Sequence, residues 1–217
     1  MNDFIFFFKQ GLSHISDLGA YDHILFIAAL AAAYTIRNAK KLILLVTAFT
    51  IGHSIALALA TLELVKINSS LIEFLIPVTI IATCLITIFR KKDQLQTNTE
   101  TTKIEDSVQK GMFHVEQSTL NYIIITAFGI IHGLGFSNYL RFILSKNESL
   151  FTPLLAFNIG LEVGQILILA IALIINFVLL KYAKIPQKYL PIILSVIIIA
   201  ITIPILWETG QALFLQD

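Results

Sequence analysis

Two histidines, His53 and His132, lie deep in apolar stretches and arrive in the same local frame. The chain reads Thr47-Ala48-Phe49-x-x-x-His53 and later Thr126-Ala127-Phe128-x-x-x-His132. An imidazole inside a hydrophobic helix is costly unless it is bound or hydrogen-bonded, so two of them suggest a shared site. The plainer reading of each is an interhelical hydrogen bond to Ser, Thr or Asn.

Glu162 sits in a third apolar stretch. Counted at 1.5 Å per residue, His53 is roughly 17 Å into its stretch, His132 roughly 18 Å, and Glu162 roughly 15 Å from the opposite side. In a hydrocarbon core about 30 Å thick, all three approach the midplane. Asn158, Glu162 and Gln165 share one helical face, and Thr50, His53 and Ser54 form a similar polar stripe.

A second group, His14, Asp22 and His23, with Glu73 near the start of another stretch, is expected at the outer edge. Neutral imidazoles and carboxylates suit Ni²⁺, Co²⁺, Zn²⁺ or Fe²⁺, and the lack of thiolates argues against a soft Cu(I) site. The alternative is an ordinary helix start, with Asp22 at the positive end of the helix dipole and His23 among the headgroups.

The elements carrying these groups are membrane spans. The 217 residues are 57% hydrophobic and 13% charged, with a mean hydropathy of +0.84, whereas soluble domains carry about 25% charge. Six stretches near spanning length are expected at 22–36, 42–65, 71–89, 120–140, 152–180 and 189–207. The fold class is therefore all-α, a polytopic membrane protein of six spans. Residues 3–20 are too short and interrupted to span, and are expected as an interfacial or re-entrant helix. The chain forms a single transmembrane domain, 1–217, with a flexible cytoplasmic loop at 90–118. His114, near the end of that loop, is expected to be solvated.

With the N-terminus outside, eleven of the fifteen basic residues fall on inner segments, among them Arg37, Lys40, Lys41, Arg90, Lys181, Lys184 and Lys188. That bias predicts a cytoplasmic (inner) membrane protein with both termini outside. Tyr34, Tyr189 and Trp207 fall near expected helix ends, where amphipathic rings sit. No cleavable signal peptide is evident. Cys84 is the single cysteine, so no internal disulfide is available. Nothing suggests nucleic-acid binding, and no GxxxxGK[ST] loop is present, which argues against ATP as the energy source. Gly160-x-x-x-Gly164 is a small-xxx-small pattern for close helix packing.

The chain resembles the HupE/UreJ family, membrane proteins associated with hydrogenase and urease accessory functions and regarded as nickel permeases. The segments carrying the resemblance are Gly11-x-x-His14-Ile15, Asp22-His23-x-Leu25-Phe26 and Phe49-Thr50-x-x-His53-Ser54. Further on come Phe128-Gly129-x-x-His132-Gly133-x-Gly135-Phe136 and Phe157-Asn158-x-Gly160-x-Glu162-x-Gly164-Gln165. The family's His-x5-Asp-His motif is implicated in metal handling. Here His14, Asp22 and His23 match it, with seven residues rather than five between His14 and Asp22.

These readings converge on a divalent transition-metal permease. The expected ligands are His14, Asp22, His23, His53, His132 and Glu162, supported by Glu73, Thr50, Ser54, Asn158 and Gln165. An outer group would pass the ion to a midplane one, down a gradient or coupled to protons. Expected partners are the lipid bilayer and the metal ion, with a second copy of the chain or metalloenzyme-maturation proteins as further candidates. Two other functions fit the same residues. One is a membrane-embedded zinc hydrolase with an open water position; the other is an accessory subunit whose polar groups only hold helices together.

Overall fold

Inside a bilayer every backbone polar group needs an internal partner, which leaves an apolar chain little choice but helix. The computed structural model describes residues 2–17, 21–65, 68–97, 119–136 and 151–215. Among them the protein is all-helical: α1 (Asn2–Ser16), α2 (Asp22–Ala32), α3 (Ala39–Thr61), α4 (Ser69–Thr97), α5 (Thr119–Phe136), α6 (Phe151–Lys181) and α7 (Leu190–Phe214). A short 3-10 turn, Ile36–Asn38, precedes α3. The loop expected over 90–118 lies outside the described residues from 98 onward, His114 included; α4 itself continues to Thr97.

Helices α3 to α7 are long and apolar enough to cross a membrane. The stretch expected as the first span departs from that expectation. Its helix has 11 residues, about 16 Å of rise and roughly half the bilayer core. Helix α1, expected as an interfacial or re-entrant helix, packs along α6. Phe8 and Leu12 face Gly160, Ile15 faces Gly164, and Asn176 reaches the end of α2 at Ala31. The two short helices thus follow one another along α6 in chain order, a crossing interrupted between Ser16 and Asp22. A count of apolar stretches assigns that crossing to 22–36 alone, because the polar residues at the interruption look like a boundary.

The second of the two short helices is held from the side. Helix α2 is apolar on nearly every face and is buried, touching α4, α6 and α7. The carbonyl of Ala31, near its end, accepts a hydrogen bond from Asn176 Nδ2 at 3.1 Å. The same carbonyl accepts the Tyr34 backbone N–H at 3.1 Å, so the side-chain donor adds a second bond at the helix end, where carbonyls lack intrahelical partners.

Two glycine crossings set the rest. A Cβ on Gly11 would collide with the Phe157 carbonyl oxygen, and one on Gly160 with that of Phe8. Helices α3 and α5 meet in the same way: Gly52 lies against the Thr126 carbonyl and Gly129 against that of Phe49. Further along, Gly133 meets His53 and Ala56, so α3 and α5 run in the same direction. The two helices that share the Thr-Ala-Phe-x-x-x-His frame are therefore direct neighbours. Exposed apolar side chains such as Leu167, Ile171, Ile174 and Ile201 cover the outside, a surface suited to lipid rather than water.

Candidate metal centre

Each of the five ligand candidates in the centre owes its position to one of these features. The α1–α2 interruption puts His14 at the end of one helix and Asp22-His23 at the start of the next. The glycine crossing of α3 and α5 brings His53 and His132 in from the other side. His14, Asp22 and His23 of the expected outer group and His53 and His132 of the expected midplane group thereby fall in one cluster. The ligand atoms of His14, His23 and His53 lie within 4.8 Å of one another, as do those of Asp22, His23 and His132, with His23 common to both.

Ring centroids are 4.8 Å apart for His14–His23, 5.9 Å for His23–His53 and 5.1 Å for His23–His132. His23, His53 and His132 are buried. Ligands 2.0–2.1 Å from a tetrahedral ion stand roughly 3.3 Å apart. The cluster is within about 1.5 Å of that closure, a distance that side-chain rotation supplies.

Among the described residues, the hydrogen bonds say which nitrogens are available. His23 Nδ1 lies 3.3 Å from Asp22 Oδ1, which favours the tautomer with its proton on Nδ1, and Nε2 is left buried with no hydrogen-bond partner. His132 Nε2 lies 2.8 Å from Thr79 Oγ1. That hydroxyl also lies 2.7 Å from the Ile76 carbonyl, to which it donates, so His132 supplies the proton between them and its buried Nδ1 is left with a free lone pair. A metal-binding histidine is commonly oriented in this way, its other N–H given to a fixed acceptor. His14 Nε2 and both nitrogens of His53 are likewise buried without hydrogen-bond partners. Unmet buried polar atoms are scarce in folded proteins because each costs about 1–3 kcal/mol. Five of them on four neighbouring rings could turn their lone pairs to one electrophile, and the set of imidazoles with one carboxylate suits a divalent transition ion.

The remaining expected residues fall elsewhere. Glu162 lies outside both convergent groups, and its Oε1 accepts a 2.7 Å hydrogen bond from Thr47. Thr50 donates to Gln165 at 2.6 Å, Ser54 to the Thr50 carbonyl at 2.7 Å, and Asn158 Nδ2 to the Leu154 carbonyl at 2.9 Å. Asn158 Oδ1 is buried without a hydrogen-bond partner. Glu73 is exposed. Sequence reasoning missed Thr79, whose signal was the spacing Thr79-x-x-x-Thr83-x-x-x-Thr87. It also missed the rings around the cluster: Phe136 lies 3.7 Å from His14 between centroids, and Phe49 5.2 Å from His132.

A helical bundle with spanning-length helices and a histidine–aspartate cluster buried at a helix interruption defines a polytopic membrane protein with a candidate metal centre. The chain belongs to the family described as HupE / UreJ protein, which it matches over residues 1–209. Comparison with curated proteins and with solved structures finds no match.

Proposed function

We propose that the chain is a permease for a divalent transition metal, Ni²⁺ or a related ion, with His14, Asp22, His23, His53 and His132 as its binding groups. The observation that carries this is the set of unpartnered imidazole nitrogens facing one another at an interrupted crossing. Interrupted helices near the midplane are where many secondary transporters bind their ions. Neutral imidazoles hold a divalent ion without the net charge that would trap it.

The N-terminus stands outside, so the α1–α2 crossing and α6 run inward while α3 and α5 run outward. Lys40, Lys41, Lys181, Lys184 and Lys188 then face the cytoplasm. Membership in the HupE / UreJ family supports nickel as the first ion to test. The cargo would serve the maturation of metalloenzymes.

The test is Ni²⁺ entry into proteoliposomes. Wild-type protein should admit Ni²⁺ well above protein-free vesicles. His53→Ala or Asp22→Asn should lower the rate at least about tenfold, the effect of losing one ligand worth ~1.4 kcal/mol or more. Wild-type flux equal to that of empty vesicles would overturn the proposal.

A further inference from the structure

Beyond the histidines, on the side away from Phe136, the bundle continues in two layers. The first is aromatic. Phe26 lies 4.7 Å from Phe49 and 6.3 Å from Phe128 between ring centroids, and 5.3 Å from His132. Phe26 and Phe49 are each 1% exposed, and the three rings close the centre on that side. The second layer is a cavity of about 40 Å³ lined by Tyr34, Thr83, Thr87, Asn121 and Phe128, among others, more than the ~10–15 Å³ that one water needs.

One polar line connects the centre to that cavity. Thr79, Thr83 and Thr87 are spaced four apart on α4 and are 2%, 5% and 7% exposed. Over eight residues they cover about 12 Å. Thr79 accepts from His132 at the upper end, and Thr83 and Thr87 line the cavity at the lower. Each hydroxyl donates its one proton to a carbonyl of the preceding turn: Thr79 to Ile76 at 2.7 Å, Thr83 to Thr79 at 2.8 Å, Thr87 to Thr83 at 3.0 Å. With the proton committed, what Thr83 and Thr87 turn to the cavity is lone pairs. A row of oxygen acceptors suits a hydrated cation.

We propose that this threonine ladder and its cavity are the inner release route of the permease, with Phe26, Phe49 and Phe128 as the closed gate between centre and route. The inference rests on the permease reading above. Among the described residues the cavity's polar lining is hydroxyl and amide, with no carboxylate or imidazole, so an ion that passes the gate is held weakly and leaves. The Lys41 ammonium lies 5.9 Å from the centroid of the Tyr34 ring on the cavity wall, which further disfavours a resident cation there. Helices α2, α3 and α5 each contribute to both layers, through Phe26 and Leu30, Phe49 and Leu45, and Phe128 and Asn121, so a small shift among them would open gate and route together.

The test compares Ni²⁺ flux in proteoliposomes with equilibrium Ni²⁺ binding on the same preparations. The variants are Thr83→Val/Thr87→Val, which keeps shape and loses both hydroxyls, and Thr83→Ser/Thr87→Ser, which keeps them. The valine variant should bind Ni²⁺ within about twofold of wild type while its flux falls about tenfold or more, as expected when a desolvated path loses its hydrogen-bonding groups. The serine variant should restore the flux to within about twofold of wild type. Undiminished flux in the valine variant, parallel loss of binding and flux, or no recovery with serine would each overturn the route. No flux from wild type would instead overturn the permease reading beneath it.

Discussion

His53 is the residue whose cost most needs a purpose. It is fully buried, and neither ring nitrogen has a hydrogen-bond partner among the described residues. If its role is to bind an ion, stability and function should trade against each other there. His53→Leu is expected to stabilise the metal-free protein in detergent by up to the ~1–3 kcal/mol that an unmet polar group costs, read as a higher melting temperature. The same variant should lose the stabilisation that Ni²⁺ gives wild type. Thr79→Val should weaken Ni²⁺ binding about 10- to 100-fold, the usual effect of removing a histidine's orienting partner, and Thr79→Ser should not. Glu162→Gln should leave binding within a few-fold, because the carboxylate is engaged by Thr47 outside the cluster. The histidines were legible because an imidazole stands out against leucine and isoleucine. Thr79 was not, because a threonine in an apolar helix ordinarily satisfies itself on the preceding turn. The Thr47 partner of Glu162 was not legible, because depth along a helix says nothing of which neighbour a side chain meets.

At the scale of elements, two tight crossings and one interruption build the centre. Gly52 leaves no room for a Cβ, whereas one on Gly210 would meet only the Phe74 ring at 3.5 Å, an ordinary contact. Gly52→Ala should therefore destabilise by about 1–3 kcal/mol or more and weaken metal binding, since the clash is with backbone that cannot swing aside. Gly210→Ala should be neutral or stabilise by up to about 1 kcal/mol. Melting temperatures of the two purified variants make the comparison. Helices α3 to α7 could be read from apolar length alone, and Gly160-x-x-x-Gly164 announced a close packing. Its partner α1 did not announce itself. Nor does composition reveal that two short helices share one crossing, because their coaxial order is fixed by α6 rather than by either segment.

At the scale of the whole molecule, the ends of the bundle separate by charge. Contact order puts the end of α2 beside Asn176, toward the C-terminal end of α6. The lysines at the start of α3, at Lys181 and before α7 therefore share one end. If that end is cytoplasmic, Gln187→Cys should react with an impermeant maleimide only after the membrane is opened. Leu64→Cys, between α3 and α4, should react from outside. Both positions are exposed, and the native Cys84 is buried and silent. The opposite labelling pattern would invert the orientation and turn the threonine route into the entrance.

The most direct test of the centre is X-ray absorption at the nickel edge of purified protein loaded with one equivalent of Ni²⁺. A first shell containing three or more imidazole nitrogens is expected from the convergence of His14, His23, His53 and His132, with His53→Leu removing at least one of them. A shell of oxygen atoms alone, or an imidazole signal that His53→Leu leaves unchanged, would contradict the histidine cluster as the binding site.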